Sequence, residues 1–144
     1  MTLQETAAIL AMIAAVDSRR SFGEIDVTAW HAFIGGFMFD DAREAVIAHY
    51  KESPHSILPT DVCTRVGAVR RARIGNRVAP LPPVDANDVR AYQDWIGAWF
   101  TAIADGLDDK AAEAVADAKV GVKRQVTATA QRDVNLSGLA KRPE

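Results

Sequence analysis

Apolar positions recur along this chain at three- and four-residue intervals, separated by short polar, glycine or proline stretches. That period is helical, and no alternating strand pattern of useful length interrupts it. Thr2 and Glu5 stand at capping-box spacing before an apolar run, which predicts a helix over about residues 3–16. Ile9, Ile13 and Val16 form its stripe, with Leu3, Ala7 and Leu10 beside it. Asp26 is placed to cap a second helix, residues 27–34, with Trp30, Phe33, Ile34 and Phe37 along one face and Gly35-Gly36 as its stop. Asp40 is placed to cap a third, residues 41–52, burying Ala42, Ala45, Val46, His49 and Tyr50 and exposing Asp41, Glu44 and Lys51. After the connector between Pro54 and Pro59, Thr60 caps a fourth helix with Val62, Val66 and Val69 as its apolar face, running to about Ile74.

The prolines at 80, 82 and 83 favour extended, polyproline-like chain and mark the best candidate boundary. A fifth helix is expected over residues 88–105, with Tyr92, Ile96, Trp99 and Ile103 on one stripe and Trp95 and Phe100 widening it. An alanine-rich sixth helix follows over about 109–119. Beyond Gly121 the periodicity fades and a frayed or flexible tail is expected. The expected architecture is therefore all-α. A four-helix domain covers residues 1–75, a proline-rich linker 76–87, a helical segment packing on the domain or on a partner 88–120, and a tail 121–144.

Composition narrows the function. The 144 residues are 49% hydrophobic and 25% charged, the balance of a chain that folds around a core. The formal net charge of −2 argues against a wholly basic nucleic-acid coat. One cysteine excludes a disulfide framework. The longest apolar stretch, Ala7 to Val16, is too short for a membrane span, and a carboxylate precedes it where a signal peptide carries positive charge. A cytoplasmic protein is expected.

The strongest local signal is a run of arginines. Arg65, Arg70, Arg71, Arg73 and Arg77 occur with no acidic residue between the first and the last. Arg70, Arg73 and Arg77 share a helical face if the helix persists that far, and such a patch can neutralise phosphates or an acidic protein surface. Arginines at a helix C-terminus also complement its dipole without any partner. A second signal is the aromatic stripe of Tyr92, Trp95, Trp99 and Phe100. It suits core packing, self-association or the docking of a partner. Helices three and four do not make a standard helix-turn-helix, because residues 53–59, with two prolines, replace its short turn. No two of His31, His49 and His55 have the i, i+4 spacing of a helical metal site. Cys63 lies in the first turn of a helix without a catalytic-cysteine context, and the acidic pairs at 40–41 and 108–109 stand where helix starts want them. No phosphate-cradling or nucleophile-elbow motif occurs, so neither a cofactor nor an enzymatic reaction is assigned.

The first 74 residues resemble the small helical replicative-helicase loader/inhibitor proteins of actinobacterial phages and prophages. The resemblance rests on the apolar first helix from Glu5 to Val16 and the tryptophan-centred segment from Ala29 to Ile34. It continues through Phe39 to Val46 with Tyr50 following, and then the connector from Leu58 to Val62. It implies an ATP-free adaptor that binds a hexameric replicative helicase, holds it inactive and delivers it to an origin-bound initiator. It carries over no catalytic residues. A nucleic-acid-binding regulator acting through Arg65–Arg77 is the alternative, and a self-associating scaffold acting through Tyr92, Trp95 and Trp99 is the second.

Overall fold

The computed structural model describes residues 1–85 and 87–122, and of the tail expected over 121–144 the part from 123 onward lies outside them. Six helices follow one another, and no strand occurs among the described residues: α1 Leu3–Val16, α2 Glu24–Ile34, α3 Phe39–Glu52, α4 Pro59–Ile74, α5 Val89–Ala104 and α6 Asp109–Val120. No helix among them is long and apolar enough to cross a membrane.

Local chemistry sets the helix starts. The capping box of α1 forms as expected: the Glu5 N–H donates to Thr2 Oγ1 at 3.2 Å, and the Thr2 N–H to Glu5 Oε2 at 2.6 Å. The next three helices begin earlier than the carboxylate or hydroxyl positions suggest. α2 starts at Glu24 after Gly23, and Asp26 reaches back from the first turn to accept the Gly23 N–H at 2.8 Å. α3 starts at Phe39 after Met38, which leaves Asp40 and Asp41 inside its first turn. In α4, Pro59 rather than Thr60 opens the helix, and Asp61 accepts the Leu58 N–H at 2.8 Å. Proline needs no donor at that position, and a third-position carboxylate satisfies the preceding N–H. The caps of α5 and α6 are Asp88 and Asp108, each accepting an N–H three residues on.

The helices build two cores. In the first, Ile9, Leu10 and Ile13 of α1 meet Trp30 and Ile34 of α2, Val46 of α3, and Val62 and Val66 of α4. Burial of each such side chain is worth about 1.5–3 kcal/mol. Val16, Phe33 and Val69, expected on these apolar faces, are 60%, 59% and 45% exposed, so the buried stripes are narrower than the sequence pattern. In the second core, Trp95, Trp99 and Ile103 of α5 pack on Ala112 and Ala116 of α6. The small side chains of α6 let its backbone approach the indoles closely, which suits an alanine-rich helix.

The cores are not separated by a loose tether. Ile74 at the end of α4 and Ala79 beyond it pack against the second core, and Pro82 is buried. The proline-rich segment thus follows the protein surface and returns the chain to α5.

Candidate docking surface at the seam of the two cores

The arginine run lies along the seam, and most of its charge is already paired. Arg73 donates through both terminal nitrogens to the Asp41 carboxylate, at 2.6 and 2.7 Å, and also to the Ala104 carbonyl at 2.9 Å. This fork-to-carboxylate geometry joins α4 to α3 and to the end of α5. Asp41 was expected on the exposed face of α3; its side chain is in fact only 9% exposed. The aspartate beside it raises the Arg73 pKa further above its ordinary value. Arg70 pairs with Asp105 at the C-terminus of α5, and Arg77 with Asp109 in the first turn of α6. Arg65 pairs with Glu52 at 2.8 Å, and that guanidinium holds the Glu52 carboxyl below its usual range. Of the five arginines, only Arg71 has a side chain without a hydrogen bond or ion pair among the described residues.

This pairing is not legible in the sequence: α4 ends at Ile74, so Arg77 lies beyond the helical face that Arg70 and Arg73 share, and Asp105 and Asp109 stand on separate elements. Asp41 is hidden in the same way, by its distance from Arg73 along the chain.

The aromatic stripe divides in the same way. Trp95 and Trp99 are fully buried, so they face the core and not a partner. The Trp95 indole N–H donates to Asp117 Oδ1 at 2.8 Å, a buried partner on α6 that the sequence did not single out. Phe100 stacks edge-on against Trp99 at 5.0 Å and is half-buried, and Tyr92 is 39% exposed. Of the four aromatic residues, Tyr92 and Phe100 are the ones available to another molecule.

Two concavities border α5 here. A cleft of about 320 Å³ opens where the α2–α3 connector, α4 and α5 meet, between Phe37, Arg71, Ile74 and Phe100. A larger groove of about 840 Å³ runs along the outer face of α5 and α6, past Met38, Gly97, Leu107 and Val115.

A separate polar hub fixes the α3–α4 connector. Asp17, 4% exposed, accepts from Arg19 Nε at 2.7 Å and from Ser56 Oγ at 2.6 Å. Arg19 continues to the Pro54 carbonyl at 2.9 Å, and Arg20 reaches the Ile57 carbonyl at 3.0 Å. The hydrogen bonds that Asp17 itself accepts, led by the one from the Arg19 side chain and followed by the one from Ser56, hold its carboxyl well below the usual carboxylate range. The sequence marked Asp17 only as the start of a loop. Its role there is to hold residues 54–57 in place, which fixes how α4 leaves α3.

The histidines and the cysteine are dispersed. His31 Nδ1 shares a hydrogen bond with Thr6 Oγ1 at 2.9 Å, and His49 Nε2 with the His55 carbonyl at 2.9 Å. Burial pushes the Cys63 thiol above its ordinary pKa, so it stays protonated at neutral pH. Among the described residues no three His, Cys, Asp or Glu side chains gather as a metal site. No protein-family model, no curated protein and no solved structure matches the chain.

Proposed function

We propose that this chain is a non-enzymatic adaptor of phage or prophage replication that binds a replicative helicase and loads or restrains it. The observation that carries the reading is the engagement of α4's arginines, and of Arg77 just beyond it, with carboxylates of α3, of the end of α5 and of α6. Paired guanidiniums bind the two cores into one body and leave little charge for a phosphate track. That favours a protein partner over nucleic acid, and the chain's formal net charge of −2 adds no overall attraction for DNA. The resemblance of the first 74 residues to helicase loader/inhibitor proteins supplies the kind of partner. Exposed apolar side chains such as Phe33, Met38 and Leu58 supply surface for one.

The test is direct. The full chain, immobilised through a surface tag, is exposed to the purified hexameric replicative helicase of an actinobacterial host. Retention at micromolar concentration, undiminished by nuclease treatment, is the expected result. A helicase that passes through unretained overturns the reading.

A further inference from the structure

The cleft between α4 and α5 combines two features, a cation without a partner and a partly exposed apolar wall. The first is Arg71, whose guanidinium has no partner among the described residues while Arg65, Arg70, Arg73 and Arg77 are each paired. It does not simply extend into solvent. A Cβ built on Gly67, one turn earlier, would stand 3.4 Å from Arg71 Nη1, so the guanidinium folds back along α4 over the cleft. The second is an apolar slot walled by Phe37, Ile74 and Phe100. Gly67 leaves room at its edge, although a glycine inside a helix weakens that helix.

A cation beside an apolar slot selects a carboxylate next to a bulky apolar side chain. We propose that this cleft is the point at which the adaptor grips its partner. It takes an acidic–apolar peptide segment, with the carboxylate on Arg71 and the neighbouring side chain between Phe37, Ile74 and Phe100. This rests on the adaptor reading above. Charge complementarity favours peptide over nucleic acid. One unpaired guanidinium matches one carboxylate, whereas a nucleic-acid strand needs a row of cations, and Arg70 at the same cleft is already held by Asp105. The walls come from both sides of the seam, so an occupant touches both cores at once.

The full ¹⁵N-labelled chain is titrated with a blocked hexapeptide of sequence SDLFDS, with its basic counterpart SKLFKS and with a single-stranded oligothymidylate. The expected result is shifted amide signals at Phe37, Gly67, Arg71 and Phe100 with the acidic peptide alone. Arg71→Gln is expected to weaken the acidic peptide at least fivefold, and Gly67→Leu, which fills the cleft edge, to abolish binding. Arg71 is exposed and unpaired, so its substitution leaves the fold intact, and melting curves check both variants. Shifts centred elsewhere, affinity indifferent to Arg71→Gln, or oligothymidylate moving the same signals overturns the proposal. The same variants are then presented to the helicase. If wild type and both variants bind it equally, the cleft proposal fails and the adaptor reading stands. If the acidic peptide occupies the cleft but wild type ignores the helicase, the adaptor reading fails and the cleft proposal stands.

Discussion

At the scale of single residues, the most consequential side chain is Asp17. It is a buried carboxylate whose partners are a guanidinium two residues away and a serine hydroxyl from the α3–α4 connector. Its folded-state pKa lies below that of the unfolded chain, near 3.9. The stability it contributes is therefore present above about pH 4 and drains away as acid protonates the unfolded state first. Asp17→Asn should lower stability at neutral pH and flatten the acid limb of the stability–pH curve. Urea unfolding at pH 7 and between pH 5 and 3 measures both effects. An Asn variant with the same midpoint as wild type at pH 7 would show that the hub holds nothing.

Two glycines of one hairpin give a second contrast, at the scale of elements. α5 ends in a Schellman arrangement: the Gly106 N–H donates to Ile103 O and the Leu107 N–H to Ala102 O, each at 3.0 Å. Gly106 sits at φ +96°, a conformation that L side chains avoid. Gly97, in the middle of the same helix, has open space where a Cβ would be. Gly106→Ala should cost about 1–2 kcal/mol through backbone strain. Gly97→Ala should add roughly 0.5–1 kcal/mol by favouring the helix. Opposite shifts in thermal midpoint are the expected result, and shifts of the same sign would contradict the local account.

The elements themselves were largely written in the pattern of the chain. All six helices fall where the three–four period places them, because each must bury one face. Their first residues were harder to read. Asp26 and Asp61 do supply the carboxylates that helix starts want, but from the third helical position, reaching back to the preceding N–H. A carboxylate at the cap and one at the third position leave nearly the same mark on a sequence. Which of the two applies depends on where the incoming loop can lie.

For the whole molecule, sequence showed which residues carry charge but not where that charge goes. The arginine run stood out because it is local. Its partners lie 31 or more residues away in three of four cases, and such contacts exist only once the helices pack. What looked like a basic surface is a clamp between α4 and the elements on either side of it. Trp95 and Trp99 illustrate the same limit, since a stripe of aromatic residues reads alike whether it faces a core or a partner.

The clamp is tested most directly by a double-mutant cycle on Arg73 and Asp41, using Arg73→Gln, Asp41→Asn and the pair, with urea unfolding as the readout. The expected coupling energy is at least about 1 kcal/mol, as for contacting residues in one charged hydrogen-bond network. Arg73→Gln is also expected to weaken hydrogen-exchange protection across the α4–α5 seam. Additive single substitutions, coupled by less than about 0.3 kcal/mol, would contradict the clamp. The arginines would then be free to serve as the basic surface that the sequence first suggested.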